Sequence, residues 1–177
     1  MWEAGEKICR RCQGASETLN HVLTVCPAHK PAVIQRHNAI AEHLIKYVPK
    51  AWSVAHEQRC ANMQPDIIVR NVEQHKAIII DVKVCSDAPD TFARNQLAME
   101  QKYDRVRREL ETQAFAASVH TLQVGVAGSM PRRSRALLAR LGMKPKHLRA
   151  TLRAIVAISL KSSRDIVVSH LVGKTRN

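Results

Sequence analysis

The stretch QPDIIVRNVEQHKAIIIDVKV, residues 64–84, contains two runs of branched apolar residues, each next to a charged residue. Val and Ile favour strands, so we predict strands over 67–69 and 76–84. Asp66 stands just before the first strand, and Asp81 follows three isoleucines in the second. Burying a charge without a partner is costly, so these carboxylates require an explanation.

Alternation along the second strand predicts where its charged side chains point. Successive side chains of a strand face opposite sides, so Asp81 and Lys83 share one face while Ile80 and Val82 face a core. If the two strands pair, Asp66 comes beside Asp81. The stretch therefore predicts two carboxylates and an ammonium at one edge of a sheet.

Such a set suits phosphodiester cleavage. Two carboxylates hold a hard divalent cation, for which Mg²⁺ is the first candidate and Mn²⁺ the second. The cation polarises a phosphate and lowers the pKa of a bound water, and a nearby lysine offsets the developing charge. The alternative is an inert arrangement in which Asp66 caps a turn and Asp81 pairs with Lys83.

A second constellation lies near the N-terminus, with the spacing C-x2-C-x8-H-x4-C. Its members are Cys9, Cys12, His21 and Cys26, a closed tetrahedral set for structural Zn²⁺. His29 is a rival to His21, since it follows Cys26 at a spacing that also allows shared coordination. A closed set leaves no open position for catalysis.

The charge distribution indicates a polyanionic partner. The chain has a formal net charge of +13, and residues 131–177 hold twelve Lys or Arg against one acid. No stretch approaches the roughly 20 apolar residues of a membrane span, so nucleic acid is favoured over a membrane. The predicted phosphate contacts are Arg10, Arg11, Arg132, Arg133, Lys146, Arg149 and Arg153.

The remaining pattern predicts an α/β fold, a central mixed sheet flanked by helices. Residues 51–60 are ambiguous. The other predicted elements are helices over 31–48, 91–112, 131–141 and 145–160 and a strand over 119–127. The predicted units are a zinc knuckle at 1–30, a core at 31–128 and a basic helical extension packed on the core at 129–177.

The two constellations together resemble one known family. Pro65-Asp66 followed by Asp81-Val82-Lys83 resembles the PD-(D/E)xK signature of restriction-like nucleases. With the CCHC knuckle upstream, the chain resembles the C-terminal part of the polyprotein of site-specific non-LTR retrotransposons. Further matching stretches are Arg36-His37-Asn38, Lys102-Tyr103 and the tract 160–164.

This resemblance implies a restriction-endonuclease-like core that nicks double-stranded target DNA in the nucleus. The freed 3′-hydroxyl would prime reverse transcription of the element's RNA by a reverse transcriptase domain upstream in the same polyprotein, of which this chain is expected to be a fragment. The implied catalytic residues are Asp66, Asp81, a lysine and Tyr103. The lysine is either Lys83 or Lys102, because some family members carry it in the following helix.

Two other functions are open on the sequence: a catalytically silent nucleic-acid-binding module of the same polyprotein, and a general repair or junction nuclease of the same fold. Two more residues have structural expectations. Glu42 lies off the apolar stripe of its helix and is expected to be a surface acid. His37 lies on that stripe and is expected to be a core or buttressing residue.

Overall fold

The structure is a computed structural model that describes residues 7–172, apart from the side chain of Pro89. The ends of the predicted units, 1–6 and 173–177, lie outside the described residues. Within them the chain forms six α-helices, one 3-10 turn and four strands. In chain order these are α1 (Leu19–Thr24), the 3-10 turn (Pro27–His29), α2 (Lys30–Tyr47), β1 (Ser53–His56), β2 (Ile67–Asn71), β3 (Lys76–Cys85), α3 (Pro89–Lys102), α4 (Asp104–Thr112), β4 (Ala116–Gly125), α5 (Arg132–Arg140) and α6 (Pro145–Val172).

The four strands form one mixed sheet in the order β1-β2-β3-β4. Strands β1, β2 and β3 are antiparallel neighbours, whereas β3 and β4 are parallel. Parallel neighbours need a crossover, which α3 and α4 supply. The predicted α/β fold with a mixed sheet and the predicted pairing of the two strands in residues 64–84 are therefore confirmed.

Helices cover both faces of the sheet. On one face, Ile67, Ile80 and Val82 pack with residues of α2, α5 and α6. On the other, Ile68 and Ile79 pack with residues of α3 and α4. The alternation of side chains along β2 and β3 thus divides the core into two layers, and Asp81 shares the α3–α4 side with Ile79.

The Cys/His-rich N-terminal part packs against α6. Val22 and Leu23 of α1 form a small apolar cluster with Val126 and Ile166. The buried Arg36 of α2 joins the same elements, since its guanidinium donates to the Leu23 carbonyl at 2.6 Å and to the Ser163 hydroxyl at 3.0 Å.

Several elements differ from the prediction, including α1, which was not predicted, and β4, which begins three residues earlier than predicted. The predicted helix 91–112 is interrupted at Tyr103, although the α-type bonds from the Tyr103 and Arg107 amides persist. Strand β1 was not predicted, because its mostly exposed residues carry no apolar alternation. Helix α6 continues to Val172, twelve residues beyond its predicted end at Leu160. Its later buried positions are partly polar, including Ser159, Ser163 and His170, so the apolar stripe fades while the helix continues.

None of the helices in the described part of the chain is long and apolar enough to cross a membrane.

Candidate carboxylate site and Cys/His cluster

Strand pairing brings Asp66 and Asp81 together. Ile67 pairs with Ile80, and extending that register by one residue sets Asp66 opposite Asp81. The Asp66 carboxylate accepts a 2.6 Å hydrogen bond from the backbone amide of Val82, which fixes it at the end of the ladder. The Asp66 backbone is held too, because its carbonyl accepts from the amide of Glu57 just after β1.

Tyr103 holds the second carboxylate. Its hydroxyl donates to the Asp81 carboxylate at 3.0 Å, and the Lys102 ammonium donates to the same hydroxyl at 2.8 Å. The ring of Tyr103 is buried with Ile79 and Val106. The helix is therefore interrupted at a residue whose ring packs in the core and whose hydroxyl contacts the carboxylate site.

The two candidate lysines differ in their contacts. Lys102 is linked to Asp81 through Tyr103, whereas the Lys83 ammonium makes no hydrogen bond within residues 7–172. Both ammonium groups lower the pKa of Asp81, and the effect of Lys102 is the larger. The structure thus connects Lys102 to the carboxylates more closely.

The charge of the site is reflected in the pKa of Asp81. Burial raises this pKa, and the neighbouring Asp66 carboxylate raises it further, while the Tyr103 hydrogen bond opposes both effects. Burial and the two carboxylates raise the pKa of Tyr103, so its hydroxyl stays protonated as a donor. A bound cation would stabilise the ionised form of Asp81, which burial and the Asp66 carboxylate disfavour.

His37 of α2 lies beside the carboxylate pair. Its imidazole is about one third exposed and lies 3.5 Å from the Asp66 carboxylate, so of the two expected roles, core or buttressing, the contact corresponds to buttressing. Asp66 raises the pKa of His37, and Asp81 and Glu57 add to this effect. A histidine on an apolar stripe gives no sequence signal for such a contact, because it depends on how α2 meets the start of β2. Glu42 is exposed, as expected.

The four predicted zinc ligands converge. The ligand atoms of Cys9, Cys12, His21 and Cys26 lie within 4.8 Å of one another. The Cys9 and Cys26 sulfurs are 3.9 Å apart, and the Cys12 sulfur is 3.3 Å from Nε2 of His21. Zinc–sulfur bonds of about 2.3 Å at tetrahedral angles place two sulfurs about 3.8 Å apart, so the donor set has the dimensions of a zinc site.

Local turns build this cluster. The Cys9 amide donates to the Ala15 carbonyl and the Gln13 amide to the Cys9 carbonyl, which closes a tight turn that presents Cys9 and Cys12. Thr18 caps α1 by accepting from the amide of His21. Burial raises the pKa of the Cys26 thiol to about 11, so a cation would have to displace its proton.

His29 is not part of the cluster. Its Nε2 lies 2.9 Å from Nδ1 of His170 on α6, and Nε2 of His170 lies 3.0 Å from the Glu17 carboxylate. Arg10 pairs with Glu17 at 2.7 Å and lowers the pKa of this acid to about 2. The geometry therefore places His21, and not His29, beside the three cysteines.

The two arginines of the knuckle have protein partners. Arg11 donates to the Ser169 and His170 carbonyls at the end of α6 and so links the knuckle to that helix. Arg10 pairs with Glu17 and remains partly exposed.

The other predicted phosphate contacts lie on α5 and α6. Arg132, Arg133, Lys146, Arg149 and Arg153 are all exposed, and none forms an ion pair within residues 7–172. These helices cover the face of the sheet opposite to Asp81.

The Cys/His cluster, the carboxylate pair and the basic surface belong to a chain that is similar in sequence to parts of retrotransposon polyproteins. The chain is 31% identical over 107 residues to the Retrovirus-related Pol polyprotein from type-1 retrotransposable element R2 of Popillia japonica. The matched residues make up 57% of this chain and 15% of that protein. The chain is 32% identical over 127 residues to the corresponding polyprotein of Nasonia vitripennis, covering 69% of this chain and 12% of that protein. The chain is thus similar to a small part of these retrotransposon polyproteins.

Family models and solved structures do not assign the chain to a family. No family model matches the chain. Among solved structures, an N-terminal domain of a reptarenavirus L protein aligns over 83% of this chain and 80% of that chain, with a TM-score of 0.41 and 12% identity. That likeness is too distant to define a fold family.

Proposed function

We propose that this chain is the metal-dependent DNA endonuclease region of a non-LTR retrotransposon polyprotein, with a restriction-endonuclease-like core. It nicks double-stranded target DNA and so supplies the 3′-hydroxyl that primes reverse transcription. The observation that supports this most is the placement of Asp66 opposite Asp81 where the β2–β3 pairing ends, with Tyr103 bonded to Asp81 and Lys102 bonded to Tyr103. The similarity to R2 polyproteins supports the retrotransposon assignment.

The carboxylate pair fits a hard divalent cation. One oxygen of Asp66 accepts from Val82 and one oxygen of Asp81 accepts from Tyr103. The second oxygen of each carboxylate has no hydrogen-bond partner within residues 7–172 and is available as a ligand. Oxygen ligands of this kind favour Mg²⁺ or Mn²⁺, which polarises the scissile phosphate and lowers the pKa of an attacking water when bound.

The residues around the pair have separable roles. Val82 and His37 hold Asp66 in place, and Tyr103 holds Asp81. Lys102 is the better placed of the two lysines to offset negative charge on a bound phosphate, because it is already linked to Asp81 through Tyr103. Lys83 on the same face of β3 is the alternative.

The remaining parts position DNA. The Cys/His cluster has four protein ligands for Zn²⁺ and therefore serves a structural purpose. Exposed arginines and lysines of α5 and α6 contact phosphates, which adds affinity that falls with salt. We propose a nuclear site of action, with the element RNA and an upstream reverse transcriptase domain of the same polyprotein as partners.

Plasmid nicking tests the proposal. Purified protein is incubated with supercoiled plasmid and Mg²⁺, beside Asp66→Asn, Asp81→Asn and the control Asp165→Asn, which changes an exposed acid on α6. Both site variants should lower the nicking rate by about a hundredfold or more, and the control should match the parent. Equal nicking by all four proteins would leave a nucleic-acid-binding module as the function.

A further inference from the structure

We propose that a groove between α5, α6 and the loop after β4 binds one unpaired base of a single-stranded nucleic acid, with arginines at its rim on the flanking phosphates. The groove has a volume of about 470 Å³, within the range of small-ligand pockets. It goes beyond the proposed nicking activity, and its binding is measurable without that activity.

The floor of the groove is apolar. Met130, Val156 and Leu160 line it, and Leu160 remains 45% exposed although it belongs to a helix that packs on the core. Gly128 forms a close wall, since a Cβ there would lie 3.2 Å from the side chains of both Val156 and Leu160. A flat apolar group is therefore the kind of ligand that this floor would shield from water.

The rim of the groove is cationic. Arg135 of α5 and Arg153 of α6 both line it. Arg132 lies three residues before Arg135 and Arg149 four residues before Arg153, so each rim arginine has a second arginine on the same helix face. All four side chains are exposed, and none forms an ion pair within residues 7–172. The rim therefore favours an anionic ligand.

An apolar floor between cationic rims matches a single strand better than a duplex. In a duplex the base faces are stacked inside, and only edges and phosphates reach a protein. A single strand can turn one base face onto an apolar surface while its phosphates meet arginines. The floor is aliphatic and small, so we expect it to hold one base without strong sequence preference.

The position of the groove separates it from the carboxylate site. Helices α5 and α6 pack on the sheet face opposite to Asp81. The loop that carries Gly128 follows β4, which runs parallel to β3, so the groove and the carboxylates lie toward the same end of the sheet. The groove would therefore hold a different segment of nucleic acid from the one at the carboxylates.

Fluorescence anisotropy tests the groove, with labelled single-stranded DNA and RNA of about 15 nucleotides and a matched DNA duplex, in buffer without Mg²⁺. The variant Leu160→Asn removes floor surface at constant charge. The double variant Arg135→Gln/Arg153→Gln removes the rim. Its matched control is Arg140→Gln/Arg164→Gln, which also removes one exposed arginine from each helix but leaves the groove lining intact.

We expect Leu160→Asn to raise the Kd for single strands about fivefold and to change the Kd for the duplex less than about twofold. The rim variant should raise the single-strand Kd about twentyfold and its control about threefold. The arm with the stronger affinity, DNA or RNA, identifies the strand. Equal increases in the single-strand Kd for the rim variant and its control would overturn the proposed binding in the groove. An unchanged single-strand Kd for Leu160→Asn would do the same. An Asp81→Asn protein that has lost nicking should keep single-strand binding, so the two proposals fail independently.

Discussion

The Cys/His cluster and the carboxylate pair are both candidate metal centres, but they are built in opposite ways. The cluster takes four ligands from residues 9–26, held by one turn and the short helix α1. The carboxylate pair takes two ligands from two strands, and Tyr103 and His37 reach it from α3–α4 and α2. The Cys/His cluster is local in sequence and supplies four thiolate or imidazole ligands, which suits a structural ion. The carboxylate pair joins distant segments and has free carboxylate oxygens, which suits an ion that also contacts substrate.

The largest expected effect is loss of the local site. Cys12→Ser should reduce zinc from one per chain to near zero and remove roughly 5 kcal/mol or more of local stability from residues 7–29, because no core of their own replaces the ion. Elemental analysis and hydrogen exchange measure both effects. Cys60→Ser is the control, since Cys60 is a free thiol outside the cluster. Retention of zinc by the Cys12 variant would refute the ligand assignment.

The next largest effect is expected on substitution of Arg36, which links α2 to α1 and α6. Arg36 is buried and bonded to Leu23 and Ser163, and burial lowers its pKa to about 10, so it stays charged at neutral pH. Arg36→Ala leaves those partners unpaired and should lower the free energy of unfolding by about 3 kcal/mol without loss of zinc. Urea unfolding measures the change. The exposed control Arg94→Ala should lower the free energy of unfolding by less than about 0.5 kcal/mol. An equal loss in both variants would contradict the stabilising role of the Arg36 hydrogen bonds.

The two lysines sharpen the description of the carboxylate site. Lys102→Met should lower plasmid nicking about a hundredfold, because Lys102 is linked to Asp81 through Tyr103, whereas Lys83→Met should lower it less than about tenfold. Lys76→Met, at the exposed start of β3, serves as the control. The reverse order of effects would assign the role to Lys83.

The smallest expected effect is the change in the free energy of unfolding when the charge of Asp81 is removed. The pKa of Asp81 is raised in the folded chain, so the folded state binds more protons than the unfolded state between the ordinary carboxyl pKa and the raised one. Ionised Asp81 therefore destabilises the fold as pH rises through that window. Asp81→Asn should match the parent at acid pH and exceed it by roughly 1 kcal/mol at pH 7, as measured by thermal unfolding. A less stable variant at pH 7 would contradict the raised pKa.

The same contrast explains what the sequence could predict. The spacing of Cys9, Cys12, His21 and Cys26 is a short-range signal, so the donor set could be named in advance except for the choice between His21 and His29. Alternation in β3 placed Asp81 and Lys83 on one face, and branched residues marked the pair of strands that brings Asp66 to Asp81. These features depend on local rules of turns and strands.

Features that depend on packing between distant elements could not be predicted. The contact of His37 with Asp66 requires the position of α2 on the sheet, and the link from Arg11 to α6 joins residues about 160 positions apart. The end of α6 was missed because Ser159, Ser163 and His170 are buried through partners that no periodicity of apolar residues reveals.

Manganese binding tests the central proposal most directly. Titration of zinc-loaded protein with Mn²⁺, followed by electron paramagnetic resonance, should detect one Mn²⁺ per chain in the parent and in Asp165→Asn. We predict that Asp66→Asn and Asp81→Asn each abolish this binding while leaving zinc content unchanged, because the two carboxylates act as one site. Unchanged Mn²⁺ binding in either site variant would contradict the carboxylate pair as the metal centre.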